Sequence, residues 1–154
     1  MPRLLLTLTV TAVAACLIWA TPVVIADQGN DARPSNRNIK TAKRAIKKRK
    51  FDKAIRYLKK ELGKNPDSAD AHNLIGYSYR KTDQVQLAFT HYNNALNLAP
   101  EHKGANEYLG ELYLEQGKLV QAEQRLAILA SACERKCDEY KDLQQAVDEY
   151  KSNN

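Results

Sequence analysis

The sequence predicts an all-α chain. Helix-turn-helix hairpins stack into a superhelix, and one further C-terminal helix closes it. Three observations predict this. Ala, Leu, Lys, Glu and Gln dominate, all good helix formers, against only 6 Gly and 5 Pro. Three segments align without a gap at an interval of 34 residues, and such a fixed period in a helical chain marks a repeated hairpin. Beyond the third segment Tyr140, Leu143, Ala146, Val147 and Tyr150 recur at spacings of three and four, the signature of one helix face.

Taken in order, the chain opens with Met1-Pro2-Arg3 and an apolar run that continues to Ala26. A short positive start, an apolar centre and small residues at Val24 and Ala26 have the layout of a secretory signal peptide over 1–26. A membrane anchor is the competing reading, and Pro22 with the small-residue ending disfavours it. Val13-Ala14-Ala15-Cys16 resembles a bacterial lipoprotein box, but the apolar Leu17-Ile18-Trp19 that follows argues against lipidation at Cys16. Residues 27–36 read as a flexible leader.

The repeats are 35–68, 69–102 and 103–136, with helices expected over 37–49, 52–63, 69–81, 85–97, 103–116 and 119–132. Ala42, Gly76 and Gly110 fall in register, as do Ala54, Ala88 and Ala122, and Leu58, Tyr92 and Leu126. Small residues let two antiparallel helices approach closely. Pro66 and Pro100 follow the second helix of their repeats and cannot continue it, and Asp67 or Ser68 can cap the next helix. A solvating helix over 138–151 turns Lys141, Asp142, Gln145 and Glu149 outward.

The middle copy, ADAHNLIGYSYRKTDQVQLAFTHYNNALNLAPEH, resembles the tetratricopeptide repeat. Ile75-Gly76, Tyr79, Ala88, Tyr92, Ala95 and Pro100 occupy that family's signature positions, with His72 where Trp is common. The first copy is more degenerate, and the third has Glu134 in place of the proline. The resemblance implies a concave groove, lined by the first helix of each repeat, that binds a peptide or helix. By repeat position the groove would carry Asn36, Ile39, Lys40, Lys43, Ile46 and Lys47 from the first copy. The second would give Asp70, Asn73, Leu74, Tyr77, Arg80 and Lys81, and the third Gly104, Glu107, Tyr108, Glu111, Leu114 and Glu115. Tyr77 and Tyr108 would be aromatic anchors. The carboxylate-clamp subset of the family, which binds chaperone C-termini, is matched only loosely. Lys43 stands where that subset has Asn, and Leu74, Gly104 and Tyr108 fill other clamp positions.

Charge is graded along the chain. Residues 35–67 carry 13 basic and 3 acidic side chains, whereas 103–154 carry 7 and 10. The basic run KTAKRAIKKRK over 40–50 is either a solvated helix face or a surface for an anionic partner, be it an acidic protein segment, lipid head groups or a wall polymer. Nucleic acid is not expected outside the cytoplasm.

Cys133 and Cys137 remain after loss of the first 26 residues. An even number of cysteines in an oxidising compartment favours a disulfide between them. Metal is not expected, because His72, His91 and His102 lie on earlier helices and four ligands do not cluster. His91 and His102 read as surface residues. No nucleophile motif, phosphate loop or cofactor site is present in the sequence. The expected function is a non-enzymatic protein-interaction scaffold of the bacterial envelope, most naturally periplasmic. A self-assembling structural protein, or an accessory factor on an anionic membrane surface, is the alternative.

Overall fold

A computed structural model describes residues 33–154, and side-chain surroundings from Arg37 onward. The signal-peptide and Cys16 readings, and residues 27–32 of the leader, lie outside the described residues. Seven helices and no strand occur among the described residues: α1 Arg33–Lys47, α2 Phe51–Leu62, α3 Ala69–Arg80, α4 Val85–Leu98, α5 Lys103–Glu115, α6 Leu119–Ala132 and α7 Asp138–Asn153. α1 begins at Arg33 rather than after residue 36. Pro34 does not prevent this, because a first-turn N–H has no helical partner to lose.

Each hairpin turns in the same way. Arg49, Asp83 and Gly117 have φ of 54°, 57° and 71°, and they stand 34 residues apart. Just beyond them the N–H groups of Lys50, Gln84 and Lys118 donate to the carbonyls of Ala45, Tyr79 and Tyr113, at 2.9, 2.9 and 2.8 Å. A left-handed residue followed by this back-bond is the Schellman way of ending a helix, and it satisfies carbonyls that the helix leaves open. Arg49 ends α1 two residues before the expected limit for this reason. The turns into α3 and α5 also repeat. The Ser68 Oγ accepts from the Ala71 N–H at 3.2 Å, and His102 Nδ1 accepts from the Ala105 N–H at 3.1 Å. An imidazole therefore does at α5 what a hydroxyl does at α3, and His102 is a half-buried cap rather than a surface residue.

Packing follows the small residues. Ala42, Ala54, Ala88 and Ala122 are fully buried. A Cβ on Gly76 would lie 2.7 Å from Cδ1 and Cε1 of Tyr92, so the ring of α4 rests on bare α3 backbone. Around this contact Leu58, Ile75, Leu109 and Leu112 form a continuous core through the first five helices.

Gly110 has a different neighbour. A Cβ there would lie 2.5 Å from Cδ2 of Leu143 in α7. Leu143 and Val147 join Leu114, Ala122 and Leu129 in a second cluster. α7 thus packs on α5 as well as on α6, and Lys151 fixes it to Glu123 of α6 at 2.6 Å. The turn that delivers it departs from the repeat. Glu134 and Arg135 have φ of 51° and 60°, a conformation closed to proline, whose ring fixes φ near about −65°. Replacement of the repeat's proline by Glu134 allows this path.

Two substitutions separate these effects. Gly76→Ala should lose about 1–3 kcal/mol by overpacking against Tyr92. Asp83→Gly should gain roughly 1 kcal/mol by relieving the left-handed turn. Urea denaturation of the two variants reads both.

Candidate interaction surface

α1 and α3, and α3 and α5, bring Cα atoms within 8 Å of each other, whereas α2, α4 and α6 do not approach one another so closely. The odd-numbered helices therefore close up on the inner side of the superhelix, and the even-numbered ones splay on the outer side. α1, α3 and α5 line the concave face.

Aromatic rings run along it. The Tyr77 and Tyr108 rings lie 5.0 Å apart between α3 and α5, and Phe51 meets Tyr77 edge-on at 6.4 Å. Lys81 Nζ sits 5.5 Å from the centre of the Tyr77 ring. Burial raises the Tyr108 hydroxyl to about 12, with help from the nearby Glu107 charge. Lys40, Lys43, Lys47 and Lys81 are exposed, and none has an ion-pair partner among the described residues. The side chain of Asn36 lies outside the described set.

Arg80 differs from these lysines. It is buried, and its Nε and Nη2 donate to Glu115 Oε1 at 3.0 and 2.6 Å while Nη1 donates to Glu111. Burial opposes its charge, but the hydrogen bonds and fields of Glu115 and Glu111 outweigh that and hold its pKa above the usual guanidinium value. Arg80 is a clamp between α3 and α5. Asn73 and Glu107 are buried as well. Asn73 packs under Gly104, where a Cβ would come within 2.9 Å of its Nδ2, and its Oδ1 has no hydrogen-bond partner among the described residues.

Glu107 is pushed up to about 8, first by burial and then by Glu111, Asp142 and Glu139. The last two belong to α7. That helix supplies one wall of a recess of about 360 Å³ with Glu149, Tyr150 and Asn153, opposite Glu111 and Glu115 of α5. Leu114 is buried beneath it. A second recess, of about 450 Å³, lies between α1 and α3, lined by Ile46, Lys47, Arg49, Phe51, Tyr77 and Lys81. The α7 wall was absent from the sequence map, as were Arg49 and Phe51. Tyr150 on the apolar stripe of α7 was the one available signal.

Elsewhere, the chain brings Cys133 and Cys137 to 5.8 Å between Cα atoms, within the range for a disulfide. His72 and His91 meet through their Nδ1 atoms at 3.0 Å, so His91 is engaged between α3 and α4 rather than free on the surface. Burial pulls His91 down to about 4, assisted by His72 and Lys59. No group of three or more His, Cys, Asp or Glu among the described residues could hold a metal ion. No described helix is long and apolar enough to cross a membrane.

A repeated helical hairpin with a small-residue contact, a recurrent left-handed turn and an aromatic concave face defines a helical-repeat solenoid. The tetratricopeptide repeat family profile matches residues 39–99 and 78–133, and the chain belongs to that family. No curated protein matches it. Among solved structures it is similar to a tetratricopeptide repeat protein of Parabacteroides merdae, at 17% identity and TM-score 0.64, covering 82% of this chain and 49% of that one. The chain thus spans about half the length of that relative. It is also similar to SycD, the type III secretion chaperone of Yersinia enterocolitica, in complex with a peptide of the translocator YopD. There the identity is 17%, the TM-score 0.65, and coverage is 77% of this chain and 89% of SycD. The first repeat domain of Spaghetti (RPAP3), bound to the HSP90 peptide SRMEEVD, matches at 16% identity and TM-score 0.68 over 79% and 96% of the two chains.

Two perturbations probe these buried groups. Arg80→Ala leaves Glu111 and Glu115 uncompensated. It should cost roughly 1–3 kcal/mol in urea denaturation, below the fully buried range because Glu115 is half-exposed. The second concerns pH. Folded Glu107, at about 8 against 4.5 for an ordinary glutamate, keeps a proton that the unfolded chain releases, so its contribution is lost as pH rises through that window. Folded His91, at about 4 against 6.5, refuses a proton that the unfolded chain takes, so its contribution is lost as pH falls from 6.5 to 4. Melting curves across pH should show Glu107→Gln flattening the alkaline limb and His91→Gln the acid limb.

Proposed function

We propose that this chain is a non-enzymatic adaptor of the bacterial cell envelope that holds a segment of a partner protein on its concave face. One observation carries the reading: a concave face with contacting aromatic rings at its centre and lysines that have no partner within the described chain. Flat aromatic area gives contact at low entropic cost, and unpaired charge steers a partner of opposite sign. The peptide complexes of SycD and Spaghetti support the same use of the fold.

The envelope setting is inferred from residues 1–26, whose pattern is that of a signal peptide, and from the cysteine pair. In an oxidising compartment Cys133 and Cys137 form a disulfide across the α6–α7 turn and hold the start of α7 against the third repeat. Closing so short a loop is worth about 2 kcal/mol in the chain-entropy model.

Crosslinked capture from intact cell envelopes tests the adaptor reading. Wild type should retain a defined protein that the Lys43→Glu, Lys47→Glu variant loses while keeping its helix content. Recovery of the same proteins by both would remove the concave face as the binding surface. The intact mass of the recovered chain should match residues 27–154, lighter by the two hydrogens of the Cys133–Cys137 bond.

A further inference from the structure

The two recesses of the concave face have opposite chemistry. Between α1 and α3, Lys47, Arg49 and Lys81 surround a floor of Ile46, Phe51 and Tyr77, and among the described residues no carboxylate lines the space. Between α5 and α7, Glu111, Glu115 and Glu149 stand around Leu114, Ala146 and Tyr150. Among the described residues the one cation lining it is Arg80, which Glu111 and Glu115 already hold. The C-terminal end of α3 separates the two, presenting Tyr77 and Lys81 to the first and Arg80 to the second.

We propose that the concave face takes a charge-polarised protein segment, with carboxylates over the α1–α3 recess, a lysine or arginine over the α5–α7 recess, and an apolar or aromatic residue between them on Tyr77 and Tyr108. The proposal rests on the concave face being the binding surface. Packed helices lie about 8–10 Å apart, so the recesses are centred two helix spacings apart, about 16–20 Å. Extended chain covers that in roughly five to six residues, which fixes the interval between the acidic and basic groups of the ligand. At physiological salt a charge is screened over about 8 Å. Each recess therefore acts on its own end of the ligand, and the two fields do not cancel along the groove. A uniformly acidic segment gains at α1 and is opposed by Glu115 and Glu149. A uniformly basic one meets the reverse. The apolar floors match the aliphatic stems of long charged side chains as well as their heads.

The test uses the full chain and four short fluorescent peptides, each with one central aromatic residue. One is polarised from acidic to basic, one has the same composition with alternating charges, one is uniformly acidic and one uniformly basic. By fluorescence anisotropy the polarised peptide should bind roughly tenfold tighter than the alternating one, the order expected from reversing several exposed charge contacts. Lys47→Glu with Lys81→Glu should weaken both the polarised and the acidic peptides. Glu149→Lys with Asn153→Lys should weaken the polarised peptide and strengthen the acidic one, and this opposite response is the decisive signature. Equal binding of the polarised and alternating peptides, lost in the Lys47, Lys81 variant, would overturn the charge polarity and leave the concave face standing. Failure of all four peptides would overturn the proposal. If sedimentation then shows the chain self-associating through the same lysines, a second copy is the occupant and the adaptor reading falls with it.

Discussion

The missing Cβ atoms of Gly76 and Gly110 are the constraint on which the rest of this structure depends. At Gly76 the backbone of α3 accepts the ring of Tyr92 directly, and a methyl group in between would hold the two helices apart. That separation would open the core built from Leu58, Ile75 and Leu109. At Gly110 the same bare surface receives Leu143 of α7 instead. A contact that elsewhere holds a hairpin together is used here to seat the final helix, and α7 consequently becomes a wall of the concave face.

Placement of α7 governs the electrostatics. Glu139 and Asp142 come near Glu107, which burial already keeps protonated well into the neutral range. Arg80 balances Glu111 and Glu115 from the other side. The acidic end of the groove is thus partly neutralised by a proton and partly by a buried guanidinium, with Glu149 and the outer edge of Glu115 left exposed. The basic end has no such compensation. Its one buried acid, Glu61, faces inward and accepts from Asn38 Nδ2 at 3.1 Å. The concave face is therefore less symmetric than a count of charges implies, and its lysines are its freest groups.

Much of this was legible in the sequence. The 34-residue interval placed Ala54, Ala88 and Ala122 in one fully buried row, and all seven helices fall close to their expected spans. Periodicity works here because each hairpin repeats one local solution: a small residue at the contact, a left-handed residue at the turn and a cap before the next helix. Roles that depend on a neighbour were less legible. The pattern marked Arg80, Asn73 and Glu107 as groove positions, but repeat position says nothing about the side chain on the next helix. Arg80 is held by Glu115, 35 residues away, and Glu107 lies beneath a helix outside the repeats. His91 was misread for the same reason, since its partner His72 lies on the neighbouring helix, 19 residues away, whereas the cap that His102 makes to Ala105 is local and was missed.

By itself the sequence determined the family, the helices and the direction of the charge gradient, because these follow from residues within one repeat length. Tertiary structure alone decided which charges remain available and where the last helix lies. Arg80 is withdrawn from the surface because α5 brings Glu111 and Glu115 within reach of it. α7 leaves the regular stack because the turn at Glu134 and Arg135 adopts a left-handed path, while the bare backbone of Gly110 gives Leu143 a place to land.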